Sequence, residues 1–339
     1  VVEETKLDLS IEGGLCHVVT IVIMIPNLMI TILNFRPRLG VTTLILIGLL
    51  SLVACSASEG ENQQGISVVV TTSIWGDVAG QIVGDDGTVE VLIPVGSDPH
   101  DYQPSAGQAA AMHEADLVVA NGLGLEDGLK DVLDAATADG VNVYEVAPDL
   151  DPLPFHDDAE RGRGDLDPHV WFDPDRVALA ARAIAERLTT VEPDVDWQSR
   201  ADDYVTDMQT LDRQIADLVA SIPDEDRKLV TNHDALGYFA ERYGFEIVGV
   251  VIPGGSTLAE PSSAQLAALV ATIEREGVPA IFAETTSPSV LADAVAKEVG
   301  QDIAVVELFT GSLGARGSGA ETLAGMLLTD AQRITDALS

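Results

Sequence analysis

Cysteine is almost missing from this chain: Cys16 and Cys55 are the only two in 339 residues, and none follows position 55. The later chain can therefore form no disulfide and no thiolate metal site, so a metal held there is held by nitrogen and oxygen. Basic residues are scarce as well, 18 lysines and arginines against 55 acids for a net charge of -37, and only Lys6, Lys130, Lys228 and Lys297 are lysine. Phosphate binding needs a basic surface, which argues against nucleic acid as a partner. The same balance describes a heavily hydrated, salt-tolerant surface, with attraction of cations as a secondary consequence. No His-Glu-x-x-His segment and no evident general base accompany the histidines, so a hydrolase reading lacks its usual parts.

Long apolar runs are confined to the first 55 residues, at 18–33 and 41–54. The second run follows Arg36 and Arg38, has about the length of a signal peptide, and ends in Leu52-Val-Ala-Cys55, which resembles the lipobox of secreted lipoproteins. The expectation is a leader over 1–54, acylation of Cys55, and a flexible polar tether over 55–65. A transmembrane anchor ending in an incidental cysteine is the competing reading. A start at Met29 would give an ordinary signal peptide, with residues 1–28 upstream of it. Counted from Cys55, the chain carries 51 acids and 15 bases.

From Ile66 onward short β-rich runs alternate with helical stretches. Strands are expected at 66–72, 89–93, 117–121 and 141–146, with helices at 74–83, 106–115 and 125–138 between them. This βαβ alternation predicts an α/β lobe over 66–193 with a mostly parallel sheet covered on both faces. Residues 148–168 turn polar and proline-rich, and read as an exposed loop. Apolar residues at intervals of three and four over 196–222 then predict one long helix, about 27 residues and roughly 40 Å. It is read as a rigid connector, 194–223, between two lobes. Residues 224–339 repeat the first pattern, with strands at 228–231, 247–252, 280–283 and 303–308 and helices at 235–243, 262–276, 290–299 and 320–338. The architecture expected is two similar α/β lobes, each with its own core, and a cleft between them.

Three histidines stand out by placement. His100 lies in Ser97-Asp-Pro-His-Asp-Tyr-Gln-Pro-Ser105, a proline-bounded loop after a strand, where open α/β sheets bind ligands. His169 lies in Asp167-Pro-His-Val-Trp-Phe-Asp-Pro174, and His233 follows a strand end in Thr231-Asn-His-Asp-Ala235. Any one of them is read most simply as a loop or core histidine; three converging from three loops point to a metal site.

The segments Ser97–Ser105, Ala115–Glu126, Asp167–Pro174, Asn232–Phe239 and Gly311-Ser-Leu-Gly314 together resemble the metal-binding solute receptors of ABC importers, the group of zinc and manganese lipoproteins. The resemblance runs from about Ile66 to the C-terminus. It implies a two-lobed receptor, a monomer anchored to the outer membrane face through Cys55, with an ABC permease as partner and His100, His169 and His233 as ligands in the interlobe cleft. It also implies a fourth ligand, an aspartate in a Thr-Asp-Ser segment, where this chain has Thr310-Gly-Ser312. A water, His156 or Asp157 of the mobile loop, or Glu284 at a strand end are the alternatives for that place.

Three imidazoles suit zinc better than manganese, which favours oxygen. The resemblance leans the same way, since similar manganese receptors tend to carry glutamate in place of His233. Zn2+ is therefore the expected ion and Mn2+ the alternative. Asp98, Asp101, Asp167 and Asp234 flank the histidines and are candidates to orient their rings. Two other classes remain open: a zinc hydrolase, and an adhesin-like surface lipoprotein with a structural metal. For transport, the rigid connector predicts little hinge closure, with motion concentrated in the 148–168 loop.

Overall fold

The computed structural model describes residues 65–155, 166–300 and 303–339. The leader, Cys55, the tether up to residue 64, and His156 and Asp157 lie outside them.

The β-branched run Ile66–Val70 forms β1, and the Thr72 hydroxyl then accepts the Trp75 amide to start α1, Ser73–Val83. Next come β2 (Gly87–Val91), α2 (Ala106–Glu114), β3 (Leu117–Ala120), α3 (Lys130–Ala138) and β4 (Val143–Glu145). The sheet has order β2-β1-β3-β4 and every pair in it is parallel. β2 begins two residues before the strand expected at 89–93, because Gly87 and Thr88 pair with Ile66 and Ser67, Gly87 despite its weak strand preference. The Leu92 and Ile93 amides still bond to Val70 and Thr71 carbonyls, so the apolar run continues along β1 toward the His100 loop.

Pro174 opens α4, Pro174–Val191, with Asp173 as its cap, and α5, Trp197–Val219, follows after five residues with Asp196 as its cap. At 23 residues α5 spans roughly 35 Å. The chain then repeats itself with β5 (Lys228–Thr231), α6 (Gly237–Tyr243), β6 (Glu246–Val250), α7 (Ser263–Glu276), β7 (Ala280–Glu284), α8 (Val290–Val299), β8 (Ala304–Leu308) and α9 (Leu323–Leu338). The second sheet, β6-β5-β7-β8, is parallel and has the order of the first. Two similar α/β lobes are therefore present. Among the described residues no helix is long and apolar enough to cross a membrane.

Alternation along the strands decides which core each side chain joins. Val69 and Val118 face α2 and α3 on one side of the first sheet, and Val230, Ile281 and Ala283 face α7 and α8 on one side of the second. The opposite faces, Val68, Val70, Leu117 and Val119 in one sheet and Leu229, Ile247 and Phe282 in the other, belong to one continuous cluster. Tyr204, Val205, Met208, Leu211 and Ile215 of α5 lie in that cluster, so the connecting helix is a shared wall. The two lobes thus share a core where separate ones were expected. Helix α9 packs on α5 and α1 as well as on β7 and β8, so the end of the second lobe returns to the first. Arg242 of α6 adds a polar tie, pairing with Asp212 of α5 at 2.6 Å and with Asp175 of α4 at 2.7 Å.

Candidate metal centre

Both first-lobe histidines are presented by the same three-residue device. In Asp98-Pro99-His100 the Asp98 Oδ1 accepts the His100 amide at 3.0 Å, and in Asp167-Pro168-His169 the Asp167 Oδ1 accepts the His169 amide at 2.9 Å. A carboxylate bonded to the backbone two residues on closes a tight turn, and the proline between fixes one of its dihedrals. The first turn is braced from behind by Gln108, whose Nε2 donates to the Leu92 carbonyl and to the Tyr102 hydroxyl. The second is braced by Tyr238, whose hydroxyl donates to the Asp167 carbonyl at 2.6 Å, and by Asn121, whose Nδ2 donates to the Pro168 carbonyl at 3.1 Å. His233 follows β5, held where the Asn232 amide bonds to the Phe282 carbonyl and the Ile252 amide to the Asn232 carbonyl.

The three rings meet. His169 Nε2 lies 3.4 Å from His100 Nε2 and 3.1 Å from His233 Nε2, and ligand atoms of all three lie within 4.8 Å of one another. A tetrahedral ion with bonds of about 2.0–2.1 Å sets its nitrogens about 3.3 Å apart, so these spacings suit one ion shared by three rings. Each residue is buried, with exposures of 4% for His100, 0% for His169 and 2% for His233.

Two of the rings are fixed by carboxylates. His169 Nδ1 is 2.7 Å from Asp167 Oδ1, and His233 Nδ1 is 2.5 Å from Glu284 Oε1. A proton on each Nδ1 leaves the Nε2 lone pair directed at the common centre. Glu284 is further held by Asn232 Nδ2 at 3.0 Å and by the Thr310 hydroxyl at 2.9 Å. It thus stands behind His233 as an orienting acceptor, and the atoms gathered at the centre are those of the three histidines. Asp98 accepts the His100 amide and Asp167 both the amide and the ring of His169, whereas Asp101 is exposed.

Burial, helped by the neighbouring rings, pushes His100 down to about 2, and burial holds His169 well below an ordinary imidazole. Burial pulls on His233 as well, but the Glu284 charge and hydrogen bond outweigh it and raise that ring. Burial works to raise Glu284, yet His233 and the hydrogen bonds from Asn232 and Thr310 hold it at about 2. Burial therefore favours the neutral form of two rings, and the carboxylate beside the third opposes that effect.

Sequence reading located the three histidines and named Asp167 among the candidates to orient a ring, as it does for His169; Glu284, offered as a fourth ligand, bonds the His233 ring. Glu284 lies 51 residues from His233, and its role emerges only because β7 pairs with β5. Trp171 was equally hidden: its Nε1 donates to the Thr310 carbonyl at 3.1 Å, joining the lobes beside the site. At Gly311, where the resemblance implies a carboxylate, a Cβ would meet Pro99 Cδ at 2.9 Å. The backbone of the second lobe thus lies directly on the His100 turn.

With this geometry in hand, similarity to known proteins is informative. The family profile described as zinc-uptake complex component A, periplasmic, matches residues 68–337. The manganese-binding lipoprotein MntA of Halalkalibacterium halodurans is 34% identical over 300 residues, covering 87% of this chain and 97% of that protein. The manganese ABC transporter substrate-binding lipoprotein PsaA of Streptococcus mitis is 27% identical over 314 residues, covering 89% and 99%. Among solved structures, the periplasmic zinc binding protein TroA from Treponema pallidum superposes with a TM-score of 0.75 at 31% identity, covering 81% of this chain and all of that one.

Proposed function

The chain belongs to the periplasmic zinc-uptake component A family of ABC-transporter metal receptors, and from that premise we propose that it captures a divalent transition-metal ion, Zn2+ before others, outside the cell membrane and delivers it to an ABC permease. The observation that carries this reading is the convergence of three buried imidazole nitrogens from two lobes, two of them aimed by carboxylates. Neutral nitrogen donors favour zinc, and manganese prefers oxygen. The family's description as an uptake component supports a binding role over the hydrolase reading. Names of relatives as lipoproteins support a receptor held at the outer face through acylated Cys55.

Manganese is the second reading, supported by the names of the MntA and PsaA relatives. Titration of protein purified without a histidine tag, with Zn2+ and Mn2+ in competition, separates the two. One zinc per chain that equimolar manganese does not displace is expected, with binding abolished in His169→Ala. Manganese retained against zinc would establish the second reading, and no binding of either ion would overturn both.

A further inference from the structure

The ligand rings are too buried for a hydrated ion to reach them, so something must move for the ion to pass. Among the described residues, besides α6 with its Tyr238, two stretches of the second lobe outside its helices and strands cross to the first lobe beside the trio. One is 309–313. It is fixed by buried bonds: Trp171 Nε1 to the Thr310 carbonyl, the Leu313 amide to Ser73 Oγ at 3.0 Å, and Ser312 Oγ against Ser73 Oγ at 3.2 Å. The other is the loop between β6 and α7, residues 253–261, which has no regular secondary structure and carries Leu258 at 60% exposure.

That loop is fastened at two points, a part-buried hydrogen bond and a contact with the Phe155 ring. The Thr257 hydroxyl donates to Asp98 Oδ2 at 2.6 Å, a part-buried bond across the lobes. At Gly255 the Phe155 ring lies directly on the backbone, where any Cβ would overlap it. Asp98 is the carboxylate of the His100 turn. Its counterpart Asp167 gives one oxygen to the ring and amide of its own histidine, whereas Asp98 gives one to the His100 amide and the other to Thr257. The same residue that shapes the His100 turn therefore fastens the second-lobe loop over it.

We propose that the 253–261 loop is the gate through which the ion enters and leaves, with the Thr257–Asp98 hydrogen bond as its latch. The inference rests on the metal-receptor reading and adds the route and its control. A latch that closes equally over the empty and the filled site slows capture and release by the same factor and leaves affinity unchanged. A residue that only placed His100 would alter release and affinity together.

The test is stopped-flow mixing of the purified protein with Zn2+, and of the zinc-loaded protein with excess EDTA, followed through Trp171, whose ring lies 5.3 Å from that of His169. Thr257→Val is expected to raise both rates about tenfold, the scale of one lost hydrogen bond to a charged group, with the dissociation constant unchanged. Thr257→Ser should behave as wild type, and Gly255→Ala, which displaces the loop from Phe155, should raise both rates as Thr257→Val does. Unchanged rates in Thr257→Val, or faster release with weaker binding and unchanged capture, overturn the gate while wild-type zinc binding stands. Failure of the wild type to bind zinc overturns the receptor reading and the gate with it.

Discussion

Replacing Glu284 by glutamine keeps the side-chain volume at the end of β7 and removes the charge that faces His233 Nδ1 at 2.5 Å. In the wild type His100, at about 2, and His169, held well below an ordinary imidazole by burial, are already neutral at pH 7. Burial alone would make His233 neutral too, but Glu284 raises it, so only this ring must surrender a proton to the ion. Capture should therefore release about one proton per ion below the His233 titration, which lies above an ordinary imidazole value of about 6.5. Zinc affinity is full above that titration and falls by about tenfold, or about 1.4 kcal/mol, for each pH unit below it. In Glu284→Gln the orienting acceptor is weakened and affinity at pH 8 should drop by about 10–100-fold. The proton is no longer held, however, so the pH dependence between about 5.5 and 7 should flatten. Calorimetric zinc titrations in two buffers of different ionisation heat measure both quantities at once. Release of close to three protons by the wild type, or an unaltered slope in Glu284→Gln, would refute the argument.

Leu211→Ala, in the core shared by both lobes, is expected to cost about 2–5 kcal/mol while the protein still melts in a single transition; two separate transitions in calorimetry would count against a common core. With a net charge of -37, raising NaCl from about 0.05 to 1 M should raise the melting temperature, because it screens repulsion among the acids. An unchanged or lower melting temperature would contradict that. Gly311→Asp offers an oxygen donor beside the His100 turn, at the expense of Pro99, which lies 2.9 Å from the new Cβ. Competition titration should show manganese gaining about tenfold on zinc, with a loss of about 1–3 kcal/mol in thermal stability from the crowding. An unshifted preference would show that the added carboxylate does not reach the ion.

Much of the fold was legible because its signals are local. The period of α5 is written in Trp197, Ala201, Val205, Met208, Leu211 and Ile215, all buried on one side of one helix. The Pro174 start and the Ser262–Gln265 capping box mark helix beginnings within a few residues. Strand β2 was misplaced by two residues because its first residue, Gly87, is held by pairing with β1 rather than by its own preference. The shared core could not be read either, since whether Leu229 and Phe282 face the same interior as Val68 depends on how two sheets are set against one helix.

The two Asp-Pro-His triplets draw the same boundary within the site. As sequence they are identical, and each builds the same turn, with its carboxylate accepting the histidine amide two residues on. Their difference lies in what approaches from elsewhere. Asp167 Oδ1 is also engaged by its own histidine ring, and its carbonyl is fixed by Tyr238, so His169 is locked by groups that stay with it. Asp98 Oδ2 is engaged by Thr257, 159 residues away, on a loop with little burial to hold it. A metal site that was rigid at all three ligands would bind well and exchange slowly. Two preset rings with a third whose turn is fastened to a movable loop supply the seat and the exit together, and the second of these depends on a tertiary contact that no local pattern announces.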